Sequence, residues 1–409
     1  MPTRSNVEKF SRGEAISVEV DRIEKELASL WQAASRSTDD TDPHPIARAA
    51  LWNLIIPARG ADSLSRIKRL ADDLAPSMPA RVITLCRGWG GTTGGIAATI
   101  ESNVVSRPGG TRVVFAEEIT LTGDGVDADE RHFGALVRSL QIPNLPTATL
   151  WIDSTKVESL LTNELLPVSD RLVIDTGRCT GARELAAVCR LGATTRAEVG
   201  DLGWLRLAGF RLLFAGLFDP PVGGGPLLAA RHIEIEHRSP RVASALLLTA
   251  WLGCQLGWRP LDAAPAAEHG AGIRLRFSSA EGRGGREATV TVDLRPSPGE
   301  CGTSGIVSIG LDAVDQLAPE RSAASPRGAS AGGFGDPSGG PRYSVRRTAD
   351  NHAEISLPIA PSKKVKLDSR TDAELCVGAL GPAGRDPLLR RVLPYAERLA
   401  DLVAARGAG

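Results

Sequence analysis

The sequence is poor in most features that announce a specialised chain. Its 409 residues hold 48 basic and 48 acidic side chains, a formal net charge of zero, so no overall field draws it to nucleic acid or an anionic membrane. Aromatics make up only 4%, with 2 Tyr beside 7 Trp. The six cysteines (Cys86, Cys179, Cys189, Cys254, Cys301 and Cys376) form no C-x-x-C pair. That fits reduced thiols better than a disulfide framework or a zinc site. No apolar run reaches the roughly 20 residues of a membrane span: "VASALLLTAWLGCQLGW" is shorter and carries polar residues. The opening "MPTRSNVEKFSRGEAISVEV" has charges where the apolar core of a secretory signal would lie. The expected location is cytoplasmic, with neither a membrane nor nucleic acid as partner.

What is present is an ordinary globular composition, 42% hydrophobic and 23% charged, on a chain long enough for two or three domains. Residues 1–44 read as a helical extension, because Val20, Ile23, Leu27, Leu30 and Trp31 keep the spacing of one helical face. From 45 to 167 strand-like and helix-like pieces alternate. "ALWNLIIPA", "ARVITLC" and "ATLWID" are expected strands, and "SLSRIKRLADDLAP" is a helix opened by Ser63. "IAATIESNVVS" and "GGTRVVFAEEITLTG" read as an antiparallel pair, and "STKVESLLTNELL" as a helix. From 168 to 409 the strand "DRLVIDTG" and further helices lead into successive alternating strands, interrupted by a Gly/Ser-rich insertion at about 318–341. The expected fold class is α/β, an N-terminal mixed-sheet α/β domain followed by an α+β domain with antiparallel strands.

Local motifs offer little chemistry. "CRGWGGTTGG" (86–95) lacks the lysine of a phosphate loop, and Thr93 occupies the third glycine of a dinucleotide fingerprint. It reads as a turn between paired strands. The alternative is a sugar-phosphate or nucleotide site of an enzyme or sensor at residues 88–95, with Arg81 and Arg87 as anion contacts. "VIDTG" carries the Asp-Thr-Gly of aspartic proteases without the second copy that chemistry requires, so Asp175 reads as a strand-ending polar residue. In "HIEIEH", His232, Glu234 and Glu236 share a strand face that reads as solvated, and "PSKKVKLD" reads as an edge strand with its lysines in water. The most apolar helix, "GWLRLAGFRLLFAGLF", belongs either to the core or to an interface; Trp and Arg dominate interface hot spots.

Several segments in order resemble the OpcA family, the glucose-6-phosphate dehydrogenase assembly proteins. "NLIIPA" is similar to a family "NLVVV" strand, "AEEITLTG" to its "EEI" strand, and "IPNLPTATLWID" to its "LPDLPVFLWW". "DRLVIDTG", "DLGWLRLAGFRLLFA" and "AWLGCQLGW" resemble "DRLIVDS", "DLNWTRLTPWRELLA" and "AWLASRLGW". The resemblance runs from about Ala50 to Val392, with Met78 and Ala80 in place of a family His and Ser. It implies a non-catalytic protein without cofactor or metal that binds glucose-6-phosphate dehydrogenase and favours its active oligomer. The positions it marks are Arg81, Glu117, Glu118 and Asp170, with Asp201, Trp204, Arg206, Phe210 and Phe214 as candidates for partner binding. Phe115 stands where many relatives carry a cysteine, which leaves Cys86 as the redox candidate; that role requires an exposed thiol with a lowered pKa.

Overall fold

The computed structural model describes residues 7–17, 20–36, 47–48, 50–87, 96–106, 112–123, 130–266, 272–279, 288–299, 302–313, 342–358, 360–381 and 386–406. The glycine stretch 88–95, the insertion at 318–341 and Cys301 lie outside these residues. The chain divides into two compact units. The first comprises 1–175, 191–205 and 370–387, and the second 176–190, 206–369 and 388–409.

In chain order the first unit holds β1 (Val7–Ser17), α1 (Val20–Arg36), β2 (Ala47–Arg48), β3 (Trp52–Arg59), α2 (Gly60–Leu74), β4 (Ala80–Arg87), β5 (Ile96–Ser106), β6 (Arg112–Gly123), α3 (Glu130–Leu140), β7 (Thr147–Trp151) and β8 (Arg171–Ile174). After α4 (Ala182–Thr194), which falls largely in the second unit, the first continues with β9 (Glu198–Asp201) and α5 (Leu202–Arg206). The sheet runs β1-β5-β6-β4-β3-β7-β8-β9, with β2 pairing beside β6. From β6 to β9 every neighbouring pair is parallel, and β5 and β1 add on antiparallel. The sheet is mixed, as the pattern of the chain implied. Read by order of appearance, the parallel strands follow 3-2-1-4-5-6, the doubly wound order with its switch point between β3 and β7.

Burial explains why the strands read as continuous apolar runs. β4 is buried along nearly its whole length and β7 along all of it, as parallel strands covered on both faces must be. Leu54, Ile56, Val82 and Leu150 of the sheet pack with Ile67 and Leu74 of α2. A late segment, α9 (Asp372–Leu380), closes the same core through Leu375 and Ala379. Its start is a capping box: Thr371 Oγ accepts from the Glu374 N–H at 3.2 Å, and Glu374 accepts from the Thr371 N–H at 2.8 Å. Its end is held by Arg171, which donates to the carbonyls of Ala379 and Gly381, both at 2.9 Å.

Several expectations are corrected. Strand β6 lies between β4 and β5, so residues 88–95 connect strands that do not pair with each other. The 1–44 segment is not helical alone, because β1 pairs with β5 at the sheet edge. Helix α2 begins at Gly60, and Ser63 accepts the Arg59 N–H at 3.1 Å from within the first turn. "STKVESLLTNELL" is helical only from its second half, in a π-helical turn at Leu160–Leu165. The expected boundary between 167 and 168 falls within the first sheet, between β7 and β8.

The second unit contains α6 (Ala208–Gly216), α7 (Gly225–Leu228), β10 (Ala230–His237), α8 (Val242–Gln255), β11 (Arg259–Pro265), β12 (Ile273–Ser279), β13 (Ala288–Pro296), β14 (Ile306–Ala313), β15 (Arg342–Ala349), β16 (His352–Leu357), β17 (Ala360–Lys366) and α10 (Pro387–Arg406). Its sheet runs β11-β12-β13-β10-β14-β15-β16-β17, antiparallel throughout except for the β10–β13 pair. Strand β17 is an edge with exposed Lys363, Lys364 and Lys366, as its sequence implied. α8 is buried on all sides from Ala243 to Gly253 and packs on β10 and β13. The face carrying His232, Glu234 and Glu236 is an ion-pair lattice rather than merely solvated. His232 Nδ1 lies 2.9 Å from Asp312 and Nε2 3.2 Å from the buried Asp293. The buried Glu234 is held by Arg295 at 2.5 Å and Arg342 at 2.8 Å.

Candidate functional site

The sites marked by the sequence separate into structural roles. Arg81 sits near the amino end of β4 and is 2% exposed. It pairs with Glu117 of β6 at 2.7 Å and Glu24 of α1 at 2.6 Å, and donates to the Leu140 carbonyl at 2.8 Å. Burial pulls its pKa down, but the two carboxylates outweigh that and leave it raised. Glu118, one residue on, is buried opposite Glu101 of β5. Asp170 precedes β8 and accepts the Thr147 N–H at 2.8 Å. Arg81 and Asp170 brace the starts of β4 and β8, Glu117 and Glu118 lie mid-strand in β6, and the four do not converge on a common pocket. Arg81 and Arg87 stand at opposite ends of β4, about 20 Å apart at the strand rise, and cannot share one anion.

The aromatic segment is core. It is two helices, broken at Leu207, rather than one. Asp201 caps the first, accepting the Gly203 N–H at 3.0 Å. Trp204 is buried, with its indole N–H donating to Asp386 at 2.7 Å. Phe210 is buried beneath the Arg347 guanidinium, 5.4 Å from the ring centre. Phe214 stacks edge-on with Phe218 at 5.4 Å. Arg206 is half-buried, and Leu212, 75% exposed, faces outward from α6. Buried anchors cannot dock a partner, so Asp201, Trp204, Phe210 and Phe214 are corrected from partner-binding candidates to core residues. Cys86 is likewise corrected. It is fully buried, and burial pushes its thiol pKa up, the opposite of a reactive thiol.

The polar side chains that do converge lie at the carboxyl edge of the parallel strands, where doubly wound folds hold ligands. β3 ends in Arg59 and β4 in Arg87, and both guanidiniums grip the Glu158 carboxylate. Arg87 also binds Glu130 of α3 at 3.0 Å, whose other oxygen accepts from Ser159. Beyond the end of β7, Asp153 takes the Ser63 hydroxyl and the Arg66 guanidinium, both from α2. Sequence reasoning named Arg87 but missed Arg59, Arg66, Asp153 and Glu158. The signal was an arginine closing each of two buried strands; its meaning depended on strand order.

The turn from β3 into α2 is the position of a dinucleotide fingerprint in such a fold. Here it reads "PARGAD", with Gly60 as its single glycine and Asp62 in the first helical turn. A glycine-rich turn lets backbone approach a pyrophosphate, and an acidic first turn opposes one. The arrangement therefore defines a protein of the doubly wound α/β class whose switch point is occupied by its own ion pairs.

Residues 71–190 match the family model described as the glucose-6-phosphate dehydrogenase subunit N-terminal domain, and residues 197–393 the one for its C-terminal domain. Together these cover well over half of the chain, which belongs to the OpcA family. A Synechocystis OpcA protein is 30% identical over 194 residues, 47% of this chain and 40% of the relative. That of Nostoc punctiforme is 28% identical over 196 residues, 47% of this chain and 41% of the relative. The alignments thus span less than half the length of these relatives. Among solved structures, a 3-ketoreductase from Actinomadura kijaniata aligns over 86% of this chain and 96% of its own, at 11% identity and a TM-score of 0.41. A biliverdin reductase from Synechocystis aligns over 87% and 98%, at 10% identity and a TM-score of 0.42. At those scores the likeness carries no argument about chemistry.

Proposed function

We propose that this chain is a non-catalytic assembly factor for glucose-6-phosphate dehydrogenase in the oxidative pentose phosphate pathway, acting in the cytoplasm. The observation that carries the reading is the match of both halves to family models described as subunit domains of that enzyme. The relatives' assignment by name to the OxPP cycle supports the pathway. Activation by a partner requires differential binding: the chain must hold the active oligomer more tightly than the inactive one, and the shift equals that difference in affinity. The switch-point ion pairs support a binding role over dinucleotide chemistry, because Glu158 and Asp153 already take the arginines and the Ser63 hydroxyl there.

The test is the activity of the dehydrogenase from the same organism, titrated with this chain. Saturable activation, with co-elution in a larger complex, is the expected result. Unchanged activity together with separate elution overturns the reading.

A further inference from the structure

We infer that the carboxyl edge of the first sheet is a regulatory site for a phosphate monoester, held closed by Glu158. The inference goes beyond dehydrogenase assembly and does not rest on it.

Arg59 and Arg87 end adjacent parallel strands in register with each other, and both close on the single Glu158 carboxylate. Arg59 meets one Glu158 oxygen and Arg87 the other, so the carboxylate bridges two guanidiniums as a phosphate group can. Each of the other two acids has a further task. Asp153 secures the start of α2 through Ser63 and Arg66, and Glu130 is tied to Ser159. Glu158 lies on the irregular stretch between β7 and the π-helical turn, and its carboxylate bridges the ends of two strands. It is the group a ligand would displace.

Among the described residues the site is open to solvent. The Arg59 and Arg66 side chains are 54% and 44% exposed. Gly60, at φ +73°, begins α2 beside them, and a Cβ built there meets no atom within 4 Å. With Glu158 in place, the Arg59 and Arg87 guanidiniums share its carboxylate. With Glu158 turned out, Arg59 and Arg87 lose the carboxylate they share, and an anionic group can take its place. Glu158 thus sets the fraction of open sites, and apparent affinity falls by that fraction.

The test is isothermal titration of the full chain with three probes: inorganic phosphate, glucose 6-phosphate and NADP. Wild type is compared with Glu158→Gln, alone and combined with Arg59→Gln or Arg87→Gln, with melting temperature as the fold check. At least one probe should bind Glu158→Gln about tenfold more tightly than wild type, as expected when a mostly closed site is opened. Adding Arg59→Gln to Glu158→Gln should abolish that binding. The Arg59 side chain is half exposed, so this variant remains decisive if the one with Arg87→Gln fails to fold. Which probe binds shows whether phosphate alone, a sugar phosphate or a nucleotide is read. Equal binding by wild type and Glu158→Gln, binding by neither, or unchanged binding when Arg59→Gln is added overturns the inference.

Discussion

Arg81 and Glu117 are direct neighbours across parallel strands β4 and β6, and their charged groups meet 2.7 Å apart with both residues buried. Two ions taken out of water are tolerable only as a pair, and removing one strands the other. Glu117→Ala is therefore expected to destabilise the protein by about 3–5 kcal/mol, measured by urea unfolding. Glu24→Ala should cost less, because Glu24 is 44% exposed and water can replace it. Equal costs would show that the burial of Glu117 does not govern the pair.

The aromatic segment makes a second contrast. Phe214→Ala removes a fully buried ring and should cost about 3–5 kcal/mol, whereas Leu212→Ala should change stability by less than about 0.5 kcal/mol. Trp204→Ala should behave like Phe214→Ala, since it also leaves Asp386 without the indole donor. Thermal melts of the three variants decide it. A Trp204→Ala protein of native stability would return that residue to the list of docking anchors.

Stability towards acid should depend on Asp293. Burial raises its pKa, but hydrogen bonds from Arg274 (2.8 Å to each oxygen) and from His232 outweigh it and hold the carboxyl below its ordinary 3.8. A carboxyl depressed in the folded state contributes stability that is fully present above its unfolded pKa. That stability is lost as pH falls through the folded value. Asp293→Asn should lower stability at pH 7 and flatten its decline below about pH 4. An Asn variant with the wild-type acid limb would show that other carboxylates set that limb.

Gly253 reverses a usual rule. Alanine in place of a helical glycine ordinarily stabilises by about 0.5–1 kcal/mol. On α8, however, a Cβ at 253 would run into the Tyr395 ring of α10, with Cε1 at 2.8 Å and the hydroxyl closer. That hydroxyl donates to the Trp258 carbonyl at 2.8 Å. Gly253→Ala should cost about 1–3 kcal/mol through overpacking, seen as a lower melting temperature. Combining it with Tyr395→Leu should recover part of the loss.

Much of the architecture was legible in local pattern. Ile55, Ile83, Leu150 and Val173 sit in strands whose apolar continuity signals burial on both faces, and β10 alternates because one face of its sheet is polar. The Trp204–Phe214 segment could be recognised as buried, but its composition suits a core and an interface equally. Which of these it was depended on Asp386, 182 residues along the chain from Trp204. Cys86 shows the same limit. A thiol's reactivity follows from burial and neighbouring charge, and neither is encoded within a few residues of it.

The sequence by itself determined the α/β class, the mixed type of the first sheet and the family, because periodicity and short motifs are carried by neighbouring residues. The parallel β10–β13 pair of the second sheet was not legible in it. Only the tertiary structure decided strand order, and with it the site. Arg59, Arg87 and Glu158 lie far apart in the chain and meet because β4 and β7 flank β3. Ion pairs form between groups brought within a few ångströms of each other, and strand pairing, not sequence spacing, sets that distance.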